Sequence, residues 1–466
     1  MRATPVAKLA DLLNGRLAIG NPNSIVSSVS IDSRRIAEGE VFIALKGERY
    51  DGHDYIISSI ESGAAGVVAQ RLTIDQRKVI AERSRFAILV DDTLKALQSL
   101  AHGYRRTLQV KCVAVTGSTG KTTVKDMIRA VLSAFVRTVA TEGNLNNEIG
   151  LPLTVLRAAD DTQVLVVEMG MRGLGQIEAL CRIAEPDIGV VTNVNDTHIE
   201  LLGSREQIAR AKQELVEAIP ESGGVVLNGD DPLVLAMAAK CRGRVVTVGT
   251  GVDCDIRATD ICSMGAAGIK FRVSGADPLQ EVRVGLPGVH NVHNALLALG
   301  VCKLLGYPLE IGARRLETLS VSNMRMAVKP TAKGVTIIDD SYNASPASML
   351  AALKTLADVG SGGRTIAVLG DMLELGHISE AAHRQIGCFI AEAGPDFTFT
   401  VGRYAGLICE EVRKSCSSRV CESYSTRSEV IRRLKEILKP GDTVLVKGSR
   451  AMHMDEIVDA LVSYLA

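Results

Sequence analysis

The chain has 466 residues, 46% hydrophobic and 23% charged, which is enough for real cores and too much for one compact domain. Lysine plus arginine and aspartate plus glutamate both number 53, so the formal charge is zero and no global field draws the protein to nucleic acid or an anionic membrane. Tryptophan is absent and aromatics make up 3%, which excludes a base-stacking surface or a sugar platform of aromatic rings and leaves recognition to backbone amides, charges and small polar groups.

The first residues break their apolar run at Lys8, Asp11 and Asn14, unlike a signal peptide. No stretch approaches the roughly 20 apolar residues that cross a bilayer. A cytoplasmic protein without stable membrane insertion is expected, and its ten cysteines, lacking CxxC or metal-ligand spacing, read as reduced, mostly buried thiols.

Up to about residue 105, short β-type runs (Val41–Leu45, Gly66–Ala69, Phe86–Val90) mix with helical segments and end in the amphipathic stretch Thr93–Arg106, predicting a small α/β domain. From Val110 apolar runs alternate with helices: Lys111–Val115, Val164–Val167, Ile188–Val191, Gly224–Leu227 and Val245–Val248. This rhythm implies right-handed βαβ crossovers and a mostly parallel sheet. Residues 252–286 interrupt it with an antiparallel patch (Ile269–Val273, Glu281–Val284), and a helix follows from about Asn291 to Leu305. A polar segment, Ser322–Lys333, precedes a second α/β rhythm at Val335–Ile338, Thr365–Leu369, Phe397–Val401 and Thr443–Val446, while Gly360–Gly363 is the most flexible-looking loop. The expected fold class is therefore α/β in three domains: residues 1–107, a central P-loop-type parallel-sheet domain over 108–321, and a Rossmann-like domain over 322–466, hinged near Ser320–Asn323.

The sharpest local feature is Val113–Thr123 (VAVTGSTGKTT), an apolar strand, a glycine turn and a helix beginning near Lys121. Gly117, Ser118, Thr119 and Gly120 let backbone amides approach phosphates at a helix N-terminus, Lys121 adds a point charge, and Thr122 and Thr123 add hydroxyls, that of Thr122 suited to Mg²⁺. The usual GxxxxGK[ST] pattern is incomplete, because Val115 occupies its first glycine position. Glu168 ends a buried apolar run, where open α/β sheets hold their ligands; it suits a Mg²⁺ carboxylate and equally a turn or cap. Taken bare, His198 reads as a loop histidine and Lys212 as a solvated helix lysine.

The run from TGSTGKTT through GNLNNEIGLP, EMG, THIELLGS and AKQEL to GVHNVHNAL resembles the Mur ligase superfamily, which includes the folylpolyglutamate synthetases. Asp32–Arg35 with Ala44–His53, Asp339–Pro346, Val368–Gly376 and Val446–Met454 look like the branch that adds D-alanyl-D-alanine to a UDP-N-acetylmuramoyl-tripeptide. The resemblance implies an amide ligase using ATP and two Mg²⁺, acting through an acyl phosphate on small-molecule substrates, as a monomer. It implies that Lys121 and Thr122 bind phosphates and a Mg²⁺ shared with Glu168, and that His198 and a carbamylated Lys212 serve the second. Asn294 would face adenine, Arg325 the γ-phosphate and Asp340 the ribose; Asn144, Asn146 and Asn147 would line the muramoyl path. Ser33, Arg34, Lys46, Asp51 and His53 would form the nucleotide-sugar pocket, with Asn343 and Lys447 on the incoming substrate. Two departures stand out: Ala327 where a carboxylate is expected after Met324-Arg-Met326, and Ser345 where asparagine is usual.

Overall fold

The structure, a computed structural model, describes residues 1–275, 278–319, 324–416 and 419–466. The expected boundary near residue 321 and the hinge at Ser320–Asn323 lie outside these. Two compact units divide the chain: Met1–Ala114 with Val136–Met171 and Gly175–Ile188, and Val115–Phe135 with Arg172–Leu174 and Gly189–Ala466.

The first unit opens with a five-stranded sheet in the order Arg16–Ile19, Phe86–Leu89, Gly66–Ala69, Val41–Ile43, Val29–Ser30, parallel except for its first pair. Runs such as Val41-Phe-Ile-Ala44 are buried on both sides, which is why they read as unbroken apolar stretches instead of alternating ones. Ile56, Ile60 and Ile80, on the short helices Ile56–Glu61 and Ile74–Glu82, complete that core. The helix Thr93–Thr107 starts where the Asp92 carboxylate accepts from Leu94 N and Lys95 N. Its buried face, Ala96, Leu97, Leu100, Ala101 and Tyr104, packs on the helices Gly150–Leu156 and Gln176–Ala184. Beyond it Thr138–Ala140 pairs in parallel with Val164–Glu168, which neighbours the strand begun at Lys111.

The sheet order runs on from Lys111–Thr116 through Ile188–Val191, Gly224–Asn228, Arg244–Gly249, Ile256–Ser263, Ile269–Gly275 and Leu279–Val284. The last two strands are antiparallel, as expected, and Ile256–Ser263 extends the patch. The helix His290–Leu304 is buried almost all round and packs against Lys121–Leu132; its sequence is correspondingly apolar on every face. A six-stranded sheet follows in the order Ala327–Pro330, Thr336–Asp340, Thr443–Lys447, Thr365–Gly370, Phe397–Val401, Val420–Tyr424, parallel except for its first strand. Val335, Ile337, Val368, Phe399, Val444 and Val446 from these runs meet Ile457, Val458 and Leu461 of the last helix in its core.

The expectation for the cysteines fails twice. Cys409 on the helix Gly406–Ser415 and Cys421 on the edge strand Val420–Tyr424 form a disulfide. Of the remaining thiols only Cys112, Cys181 and Cys302 are buried; Cys241, Cys254 and Cys416 are half-buried, and Cys262 and Cys388 exposed. The pairing has no local spacing signature because it arises from packing of that helix on the edge strand, which brings the two Cα atoms to 5.2 Å. Among the described residues no helix is long and apolar enough to cross a membrane.

Candidate active site

In the second unit Val115 and Thr116 end the strand begun at Lys111 and give way to a four-residue loop and the helix Lys121–Leu132, with Gly120 at its N-cap in the left-handed region, φ 79°. Gly117 has φ 148°, and a Cβ there would meet Thr192 Oγ1 at 1.8 Å; one at Gly120 would meet Asn294 Oδ1 at 2.8 Å. Only glycine fits either place. The segment after Ile188–Val191 staples the loop: Ser118 N donates to Asn193 O (2.9 Å), Thr119 N to Asn193 Oδ1 (2.9 Å) and Thr192 Oγ1 to Thr119 O (2.6 Å). Asn195 N donates to Ser118 Oγ at 2.8 Å. Lys121 Nζ folds back onto Gly117 O (2.8 Å) and Ser118 O (3.2 Å), Thr122 is buried and Thr123 half-buried. The result is a rigid cradle at the positive pole of a helix, with a lysine over its mouth.

Lys121 acts electrostatically on two further groups. His198, φ 63°, caps the short helix Ile199–Leu202, and Lys212 lies in the helix Arg205–Ala218, which Ser204 caps by accepting from Gln207 N. Lys212 is 2% exposed. Burial first, then the like charge of Lys121, holds its ammonium well below the usual lysine range. Burial also lowers His198, with Glu374 opposing and Lys121 and Lys212 assisting. An amine and an imidazole whose charged forms are both disfavoured thus sit within the field of one lysine, in a place suited to anions.

Farther along the same unit, the Arg325 guanidinium lies 3.9 Å from the centre of the Tyr342 ring, between Met324 (φ 65°) and Met326 (φ 54°). Asp340, Asn343 and Lys447 are brought together: Lys447 Nζ, itself buried, donates to Asp340 Oδ2 (2.5 Å) and Asn343 O (2.9 Å), and Asp340 Oδ1 accepts from Met326 N (3.2 Å). His290 stands near them; burial, with Lys447 and His293 assisting against Asp340, brings its imidazole to about 4. Asn294 is buried and donates to Asn291 Oδ1 at 2.8 Å.

The first unit holds the other expected residues. Glu168 is buried at the end of its strand; its N–H donates to Thr141 Oγ1 (3.0 Å) and its Oε1 accepts from Asn146 Nδ2 (2.8 Å). Asn147 Oδ1 accepts from Gly150 N (2.9 Å) at the start of its helix, and Asn144 is exposed. Ser33 opens a single 3-10 turn, and the exposed Arg34 makes a two-pronged pair with Asp32. Lys46 bridges to Asp51, whose carboxylate accepts from His53 N, His53 Nδ1 and Arg71; these bonds bring it to about 2. His53 is buried, with Nε2 accepting from Gln70 N at 3.0 Å. Both ring nitrogens are thereby engaged inside the protein. Among the described residues no group of three or more His, Cys, Asp or Glu forms a metal site. A divalent ion here would draw on hydroxyl, substrate or water oxygens beside one or two side chains, as Mg²⁺ does.

Sequence reasoning did not single out Glu374, which meets His198, nor Tyr342 and His290. It also gave no role to Thr192, Asn193 and Asn195, although polar residues directly after a buried strand are the available signal for them.

A glycine-cradled helix start at the carboxyl end of a sheet strand, with a lysine at its mouth and the buried Lys212 and half-buried His198 in its field, defines a nucleotide-phosphate-handling α/β domain. The chain belongs to the Mur ligase family: models for the family's catalytic domain, middle domain and glutamate ligase domain match residues 25–105, 115–302 and 324–450. It is 39% identical over 460 residues to the UDP-N-acetylmuramoyl-tripeptide--D-alanyl-D-alanine ligase of Bacillus subtilis (strain 168), covering 98% of each chain. Among solved structures, MurF from Acinetobacter baumannii superposes with a TM-score of 0.89 at 28% identity, covering 99% of both chains. MurF ligase from Thermotoga maritima in complex with ADP does so with 0.81 at 29% identity, covering 98% of this chain and 99% of the other. The architecture is thus the three-domain α/β fold of these ligases, with mostly parallel sheets.

Proposed function

We propose that this chain is an ATP-dependent ligase of peptidoglycan synthesis that joins D-alanyl-D-alanine to UDP-N-acetylmuramoyl-tripeptide, giving ADP, phosphate and the pentapeptide. The full-length likeness to ligases of that name supports it. The structural observation that carries it is the buried Lys212 in the field of the phosphate-loop lysine, where burial and like charge disfavour its ammonium, and for which a nucleotide switch or simple kinase has no use.

A carboxylate resists attack by an amine because oxide would have to leave, so the tripeptide's terminal carboxylate first attacks the γ-phosphate of ATP in line, displacing ADP. The D-alanyl-D-alanine amine, with an α-amino pKa near about 8, is partly neutral at cellular pH and then displaces phosphate from the acyl phosphate. The cradle Gly117–Gly120 with Thr123, Lys121 and Arg325 surround the phosphates and spread the charge of the transferring group. Asn294 serves adenine and Asp340 the ribose, with Lys447 and Asn343 bonded to each other as one unit toward the incoming dipeptide.

Two Mg²⁺ ions, when bound, would supply Lewis-acid charge neutralisation. Thr122 and Glu168 would hold one, His198 and a carbamylated Lys212 the other. The donors fit: burial and Lys121 favour the uncharged form of the Lys212 amine, which would add to CO₂ and lose a proton, and the product would be an anionic oxygen ligand of the kind Mg²⁺ prefers. Asn144, Asn146 and Asn147 flank the muramoyl path. In the nucleotide-sugar pocket Ser33, Arg34 and Lys46 are the contacts, and Asp51 with His53, bonded internally, holds the Lys46 loop. The three domains divide as 1–107, 108–321 and 322–466, and the enzyme works in the cytoplasm as a monomer. The test is product analysis: ADP and phosphate must appear in equal amounts with the pentapeptide and only when both acceptor and dipeptide are present. AMP and pyrophosphate would overturn the proposal.

A further inference from the structure

The stretch Val368–Gly376 (VLGDMLELG) has no part in the chemistry above, yet it is held with unusual care. The buried Asp371 carboxylate accepts from three successive amides, Arg403 N (2.9 Å), Tyr404 N (2.9 Å) and Ala405 N (2.7 Å). Its carbonyl accepts from Ser449 N at 3.0 Å. Met372 N donates to His383 Nε2 (3.0 Å) and Leu373 N to Ser449 Oγ (2.8 Å). The next residue, Glu374, is in the left-handed region at φ 60°, a conformation that a non-glycine residue keeps only where its surroundings enforce it. Two residues on, Gly376 (φ 52°) passes so close to Glu200 that an added Cβ would meet its Cα, Cβ and Cγ at 3.2–3.3 Å. Glu200 N, two residues after His198, donates to Glu374 O at 3.4 Å.

The loop thus ends on the His198 segment, and the two oxygens of Glu374 are used separately. Oε1 accepts from Arg172 Nη2 at 3.3 Å, and Oε2 lies 2.5 Å from His198 Nδ1. An ionised carboxylate can only accept, so Nδ1 carries the proton and, in the neutral ring, Nε2 keeps its lone pair.

We propose that Glu374 is a positioning residue: the Asp371–Gly376 loop holds its carboxylate against His198 Nδ1, fixing the tautomer and orientation in which Nε2 is the ring's ligating nitrogen. The inference rests on the ligase reading for what Nε2 binds, and on the geometry alone for the tautomer. It gives VLGDMLELG a purpose: residues outside the phosphate-loop region complete the imidazole's geometry, so the site is assembled only when this loop is seated on the Glu200 turn.

The test is nitrogen-15 NMR of the histidines in the full-length protein, with ADP and UDP-N-acetylmuramoyl-tripeptide bound and no divalent metal, paired with steady-state kinetics. The wild-type protein should show His198 with Nδ1 protonated and Nε2 bare. Glu374→Ala, at a side chain 39% exposed and outside the apolar core, should yield mixed tautomers. Its turnover should fall by about 10–100-fold, the usual effect of removing a partner behind a metal ligand, with the KM for ATP within about threefold. Glu374→Gln, whose amide oxygen still accepts, should restore the tautomer and most of the turnover, and Arg172→Ala should leave the tautomer unchanged. An unaltered His198 tautomer in Glu374→Ala, or an altered one with wild-type turnover, overturns the proposal. A wild-type protein inactive on these substrates would instead count against the ligase reading, while the spectra would still report the contact.

Discussion

Replacing Lys212 separates packing from charge. Its side chain is buried along a four-methylene stem, worth about 3 kcal/mol at roughly 0.8 kcal/mol per buried methylene. Lys212→Met keeps nearly all of that stem and removes a nitrogen that burial and Lys121 already press to give up its charge. The Lys212→Met protein should therefore melt no lower than the wild type, whereas Lys212→Ala, which leaves a cavity, should lose about 2–3 kcal/mol. Both should lose at least about 100-fold in turnover, the scale on which one lost electrostatic group at a reacting centre is felt. The assay is coupled ADP release at saturating substrates in bicarbonate-containing buffer. Formate or acetate should restore part of the activity of Lys212→Ala, where the cavity admits a carboxylate, and none to Lys212→Met, where the stem fills it. Turnover of Lys212→Met within about threefold of wild type would refute the reasoning; a Lys212→Ala protein that neither anion rescues would remove the carbamate while leaving the lysine essential.

Three further outcomes follow from the geometry. Gly117→Ala, whose Cβ would fall 1.8 Å from Thr192 Oγ1 at φ 148°, should abolish ADP binding measured by calorimetry while the third-domain core melts normally. Asp230 accepts from Thr250 N, Thr250 Oγ1, Gly251 N and His293 Nε2, and these bonds outweigh burial, which alone would raise it, to bring it from 3.8 to about 2. A lowered carboxyl stabilises above its unfolded pKa and loses that contribution as pH falls through the folded one, so Asp230→Asn should cost roughly 2 kcal/mol at pH 7 and the gap should close between about pH 4 and pH 2 in thermal melts. Asp371→Ala strips the acceptor from three buried-side amides and should destabilise by about 3 kcal/mol or more in urea unfolding followed by Tyr fluorescence, with Glu374 no longer held on His198.

The readable parts of the fold are those whose burial leaves a one-dimensional trace. Strands buried on both faces, such as Val164–Glu168 or Ile188–Val191, need apolar residues at every position, so their existence followed from sequence. The strand Val420–Tyr424 did not, because an edge strand with one buried face spells Val-Cys-Glu-Ser-Tyr. The Cys409–Cys421 pair failed for the same reason, since its geometry depends on where that unrecognised strand lies.

At the site the division is between residues that act where the chain puts them and residues that act on something distant. Lys121 and Gly120 are legible because a strand, a turn and a helix start are contiguous, and their chemistry needs only backbone amides and one charge. Lys212 was legible only by resemblance, because a lysine in a helix of Glu, Gln and Arg residues looks solvated until tertiary packing buries it. His53 illustrates the converse: a polar residue in a loop reads as a ligand contact, but folding has already used both of its nitrogens, on Asp51 and on Gln70. Glu374 lies 176 residues from His198, and nothing in its neighbours encodes the partner. What they do encode is the rigidity of the loop, through Asp371, Met372 and Leu373. The loop is also anchored by the buried Met372 and Leu375 on either side of Glu374, so the half-exposed carboxylate between them is aimed by the backbone that packing and hydrogen bonds fix.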